Sequence, residues 1–117
     1  MMRILIVEDD STMRSLLKTL LELENFSVDT YEKDNAEEIL SKISTTTPDV
    51  VLMDVNLRFA NGLDMASKIR KIPNIKQPKI ILSSGMDYHK ECENLAVDLF
   101  LLKPYMPDDL IKWLHAI

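Results

Sequence analysis

Residues 4–14 read "ILIVEDDSTMR": an apolar run of four, then three consecutive carboxylates, then a helix-like start. Placing Glu8, Asp9 and Asp10 side by side at the end of an apolar run is costly, because each negative charge raises the pKa of its neighbours and resists ionisation. The stretch therefore calls for a cation nearby. Outward from it, apolar runs alternate with amphipathic stretches to the end of the chain, the pattern of a parallel sheet with helices on both faces. Five runs qualify as strands: residues 3–7 ("RILIV"), 26–31 ("FSVDTY"), 49–53 ("DVVLM"), 79–83 ("KIILS") and 98–102 ("DLFLL"). The third and fourth are apolar without alternation, as strands covered on both faces are.

The intervening stretches carry helical periodicity. "STMRSLLKTLLELE" sets Met13, Leu16, Leu17, Leu20 and Leu21 on one stripe. "DNAEEILSKIS" opens with capping residues and acids, and presents Ile39, Leu40 and Ile43. "GLDMASKIRK" and "DYHKECENLA" give weaker third and fourth helices. "PDDLIKWLHAI" starts on Pro107, suited to a first turn, with Leu110, Trp113, Leu114 and Ile117 as its apolar face. The expected fold is α/β: a doubly wound, five-stranded parallel sheet with helices on both faces, as one domain over residues 1–117.

Composition narrows the function classes. A chain of 117 residues with 46% hydrophobic and 28% charged residues is of ordinary size for a globular domain. No apolar run approaches the roughly 20 residues of a membrane helix, and "MMRILIV" lacks a signal-peptide cleavage pattern, so the expectation is a cytoplasmic protein with no membrane partner. A net charge of −5 with no basic cluster beyond "KIRK" argues against direct nucleic-acid binding. The single cysteine, Cys92, forms no intrachain disulfide and reads as a spare helix thiol. His89 and His115 lack metal-ligand spacing and read as surface residues.

The strand ends hold the chemistry. In open α/β sheets ligands bind beyond the carboxyl ends of the strands. That edge carries Glu8, Asp9 and Asp10 after the first strand, Asp54 after the third, Ser84 after the fourth, and Lys103 with Pro104 after the fifth. The only two glycines, Gly62 and Gly85, fall in loops on the same edge. Few carboxylates on one rim suit Mg²⁺, which takes one or two of them and keeps several waters. A neighbouring lysine can grip a phosphoryl oxygen, and a carboxylate such as Asp54 held beside both can act as a nucleophile on phosphorus.

On "ILIVEDD", "VVLMDVNL", "IILSSG" and "FLLKP", in this order, the chain resembles the receiver domains of two-component response regulators over essentially its whole length. The resemblance implies a flavodoxin-like, receiver-type fold with Asp54 as phosphoacceptor. It implies Asp9 as direct Mg²⁺ ligand, Glu8 as ligand through water, and the Asn56 backbone carbonyl as a further ligand. Asp10 falls one past the family's acidic pair and reads as a helix cap. Ser84 matches the switch hydroxyl, Lys103 the phosphate-pairing lysine in a cis bond to Pro104, and Phe100 the switch aromatic, which would turn inward on phosphorylation. Ser83 would face the other side of its strand.

The implied function is a phosphoryl switch without the character of an ordinary enzyme. A sensor histidine kinase or histidine phosphotransfer protein would phosphorylate Asp54, and slow autodephosphorylation would follow. The face of the fourth helix, fifth strand and fifth helix would change its affinity for a downstream output protein or domain, and a weak or phosphorylation-dependent homodimer is compatible with this. Two departures stand out. "RFANG" (residues 58–62) puts Arg58 where the family has proline, with Phe59 beside it, at the mouth of the site or as a plain exposed turn. Ala96-Val97 replaces the usual Gly-Ala. A receiver-shaped scaffold that no longer switches is the alternative. A haloacid-dehalogenase-type phosphatase is disfavoured, since it needs a second aspartate where Asn56 stands.

Overall fold

A computed structural model describes residues 1–117 as ten alternating elements. In chain order they are β1 (Arg3–Val7), α1 (Ser11–Leu23), β2 (Ser27–Tyr31), α2 (Ala36–Thr46), β3 (Val50–Asp54), α3 (Gly62–Arg70), β4 (Lys79–Ser84), α4 (His89–Asn94), β5 (Leu99–Leu102) and α5 (Pro107–Ala116). The strands form one sheet in the order β2-β1-β3-β4-β5, with every neighbouring pair parallel. The order reverses beside β1, and the diverging connections open a crevice there at the carboxyl edge.

Strand alternation divides the core in two. Leu5, Val7, Val51, Met53, Ile80 and Leu82 pack with Ile39 and Ile43 of α2 and Met65 and Ile69 of α3. Ile4, Ile6, Val50, Leu52 and Ile81 pack on the opposite face with Leu17 and Leu21 of α1 and Leu110 and Leu114 of α5. Both faces of the central strands are thus apolar, and this double cover is what made β3 and β4 read as continuous runs.

The structure trims the expected boundaries. Phe26, Asp49 and Asp98 precede their strands, whereas β3 reaches Asp54 and β4 reaches Ser84. The two aspartates serve the entrance to the sheet instead: Asp49 accepts the Arg3 N–H at 2.8 Å and Asp98 the Ile80 N–H at 2.7 Å. The α1 stripe is narrower than its pattern, for Leu17 and Leu21 are buried but Leu16 is 48% exposed, on a groove shared with Tyr105 and Pro107. Ile117 lies past the end of α5 and is exposed, so it adds little to that helix's apolar face. α4 is only six residues long, and Ala96, with φ 54°, follows it. Cys92 lies on a helix, α4, as expected, with its side chain in the core, and burial, with Glu91 adding to it, pushes its pKa up. No helix is long and apolar enough to cross a membrane.

Candidate functional site

The end of β3 is held by an unusually close approach. The Gly62 N–H, at the start of α3, donates to the Val55 carbonyl at 2.7 Å, and a Cβ on Gly62 would sit 2.6 Å from the Asp54 carbonyl oxygen. Only glycine lets α3 begin this near the strand. Gly85 has nothing within 4 Å of such a Cβ, so its loop makes no comparable demand.

Lys103, just past β5, brings the charges together. Its Nζ lies 2.9 Å from Asp54 Oδ2 and 3.4 Å from Glu8 Oε2, and the following bond to Pro104 is cis. Besides the Mg²⁺ expected for the acidic stretch, the chain thus supplies a cation of its own, 95 residues from Glu8. Glu8 is 7% exposed. Burial pushes its carboxyl above the ordinary value, partly countered by the Lys103 charge. Burial works against the Lys103 ammonium too, yet the hydrogen bond to Asp54 and the charges of Glu8 and Asp54 hold its pKa above the usual lysine value. Asp54 Oδ1 accepts the Asn56 N–H at 3.0 Å. Asp10 turns away to cap α1, accepting from the Thr12 and Met13 N–H groups at 2.9 and 3.0 Å.

Asp9 is engaged from the third strand's loop. Its Oδ2 accepts the Arg58 backbone N–H at 2.6 Å, and its Oδ1 lies 3.9 Å from the Arg58 guanidinium. Phe59 is half-buried beside Tyr31, ring centroids 6.4 Å apart, and packs on the core. The "RFANG" loop is thus anchored through the Arg58 N–H and Phe59, while the Arg58 side chain itself is exposed, as an exposed turn would have it. No sequence pattern signals this, since the partners, Asp9 after β1 and Tyr31 at the end of β2, are distant along the chain.

The switch candidates lie on the adjoining strands. Ser84 is buried, and its Oγ accepts from Asn56 Nδ2 at 2.9 Å and the Met86 N–H at 3.1 Å. This side-chain link between the β3 and β4 loops is one that sequence reading missed. Phe100 is 7% exposed in this conformation. Its ring neighbours are His89, edge-on at 4.7 Å, and Tyr88 at 6.4 Å. His89, though exposed, also pairs through Nδ1 with Asp87 at 2.7 Å. The His89 backbone N–H, then its ring, hold the Asp87 carboxyl below its ordinary value.

A divalent cation can be tested against this donor set. No three or more His, Cys, Asp or Glu side chains gather as a cage, and Mg²⁺ requires none, since one or two carboxylates with waters suffice. Asp9 and Asp54 supply hard oxygens, and no donor from the chain occupies the Asn56 carbonyl. The set fits Mg²⁺.

Comparison with known proteins agrees with the architecture. A family model described as "Response regulator receiver domain" matches residues 4–115. The cell cycle transcriptional regulator CtrA of Caulobacter vibrioides is 30% identical over 118 residues, covering 99% of this chain and 50% of CtrA. The chain thus spans about half the length of the curated relatives it matches. Response regulator protein TrrA of Thermotoga maritima, solved in complex with Mg²⁺-BeF, is 34% identical with a TM-score of 0.84, covering 99% of this chain and 98% of that one. A crystal structure of histidine kinase ThkA in complex with TrrA matches at 34% identity and a TM-score of 0.83, covering 99% and 97%. The chemotaxis response regulator CheY4 of Vibrio cholerae, at 24% identity, shares the fold with a TM-score of 0.86 over 99% of this chain and 98% of its own.

Proposed function

The chain belongs to the response regulator receiver domain family of two-component signalling, and from that premise we propose that it accepts a phosphoryl group on Asp54 from a phosphohistidine donor. The observation that carries the reading is the 2.9 Å contact of Lys103 Nζ with Asp54 Oδ2 at the carboxyl edge of the sheet. An ammonium there is in reach of any group attached to that oxygen. In the proposed step an Asp54 oxygen attacks phosphorus, the P–N bond to the donor histidine breaks, and the imidazole leaves with the electron pair. Asp9, Asp54 and the Asn56 carbonyl would hold Mg²⁺, with Glu8 acting through water; bound there, Mg²⁺ spreads the charge that builds up on the transferred group.

The chain's own residues then respond. Lys103 exchanges its carboxylate contact for a phosphoryl oxygen, and the Ser84 hydroxyl donates to another, which draws Ser84 away from Asn56. The β4–α4 loop follows, and with it the contacts of Tyr88 and His89 on Phe100. The face of α4, β5 and α5 thereby changes its affinity for an output domain or partner protein. A sensor histidine kinase or phosphotransfer protein is the proposed donor. The ThkA–TrrA complex supports that class of partner, and the Mg²⁺-BeF complex of TrrA supports the metal. Residues 1–117 act as one receiver unit in this reading.

Acetyl phosphate with Mg²⁺ tests it by mass spectrometry. The wild-type chain gains one phosphoryl mass, slowly lost afterwards, and D54N gains none. A wild-type chain that gains none sinks the switch and leaves a partner-binding scaffold.

A further inference from the structure

Arg58 and Phe59 tie three loops of the carboxyl edge to one another. The Arg58 N–H donates to Asp9 Oδ2 at 2.6 Å in the β1–α1 loop, a bond that proline at this position could not make. The guanidinium lies between two carboxylates, with Nε 3.9 Å from Asp9 Oδ1 and Nη2 3.7 Å from Asp34 Oδ1 in the β2–α2 loop. Phe59 packs beside Tyr31 at the end of β2, and the Tyr31 hydroxyl is itself held, its one proton shared between the Asn35 carbonyl at 2.9 Å and the Glu38 carboxylate at 3.0 Å. The backbone of residue 58 is therefore anchored on its neighbours, and its side chain is aimed across Asp9.

We propose that Arg58 is a positioning residue that holds the Asp9 carboxylate when no metal is bound and competes with the divalent cation for it. The inference rests on the reading of Asp9 as a metal ligand. A carboxylate oxygen already accepting an N–H, with a guanidinium beside it, has part of its charge compensated. A hard cation must share or displace those contacts, and it also meets the repulsion of a fixed positive charge beside its seat. The two contributions differ in kind. The ion pairs are long and the Arg58 side chain is 70% exposed, so its contribution is modest and screened by salt, while the backbone bond is insensitive to salt. Arg58 thus lowers the chain's Mg²⁺ affinity and makes it depend on ionic strength.

Isothermal titration of MgCl₂ into unphosphorylated wild type, R58Q, R58K and D9N provides the test. R58Q is expected to bind Mg²⁺ about two- to fivefold more tightly at low salt, the gain shrinking at about 0.5 M salt. R58K, which keeps the charge, stays within about twofold of wild type. Unfolding in chelator supplies a second readout: R58Q lowers the thermal midpoint more when Asp9 is present than in the D9N background, where only the Asp34 pair is left to lose, and equal shifts in the two backgrounds would show no coupling between Arg58 and Asp9. If D9N loses Mg²⁺ binding while R58Q binds as wild type does, Arg58 has no hold on Asp9, and the ligand reading stands without it. If D9N binds as tightly as wild type, both fail.

Discussion

Lys103 serves two carboxylates at once, and this decides what each substitution around it does. Repulsion among Glu8, Asp9 and Asp54 taken alone predicts that neutralising Asp54 stabilises the chain; the 2.9 Å contact to Lys103 offsets that gain. Removing the lysine is different. In K103A, Glu8 and Asp54, whose side chains are 7% and 14% exposed, would face one another with no cation between them. Leaving such groups unpaired costs about 1–3 kcal/mol, so K103A should unfold at lower urea than wild type in chelator, and adding E8Q should recover part of the loss. K103A as stable as wild type in chelator would mean that solvent compensates the carboxylates unaided.

Among the elements, the junction of β3 with α3 is the tightest point of the site. A methyl group at residue 62 would meet the Asp54 carbonyl oxygen at 2.6 Å and Val55 Cα at 2.8 Å, both backbone. Backbone gives way only by moving the strand end that carries Asp54. Overpacking of this kind costs about 1–3 kcal/mol. G62A should therefore lower stability by that amount in a urea titration, while G85A, with open space around its Cβ, should stay within about 0.5 kcal/mol of wild type. Equal effects at the two glycines would refute the close-approach argument. α4 is the opposite case. It has six residues and a single buried side chain, Cys92, and its first turn is fastened from outside by Asp87, which accepts the His89 N–H at 2.9 Å. Few buried contacts make it the element that moves at least cost, which suits its place in the proposed switch.

At the scale of the whole molecule, the site joins residues from both halves of the chain, so anything bound there stabilises the global fold. Ligand at about a hundred times its dissociation constant adds roughly 2.7 kcal/mol. Mg²⁺ should accordingly raise the unfolding midpoint of wild type in a saturable way and do so much less for D9N. A midpoint indifferent to millimolar Mg²⁺ would count against the metal reading.

The sequence alone determined the alternation of strands and helices, the cover on both faces of β3 and β4, and the gathering of Glu8, Asp54, Ser84 and Lys103 at the carboxyl edge. These follow from local periodicity and from the residues that end each strand, which neighbours along the chain can dictate. Asp10 was legible as a cap for the same reason, its partners lying two and three residues away. The tertiary structure decided which charges meet. Lys103 on Glu8, Arg58 on Asp9 and Asn56 on Ser84 span 95, 49 and 28 residues, and strand order and loop path, not spacing, bring them within hydrogen-bond reach. The width of an apolar stripe was decided there too. Leu16 and Leu17 look alike in the pattern, but only the packing of α1 against the sheet and α5 buries one and leaves the other in a groove.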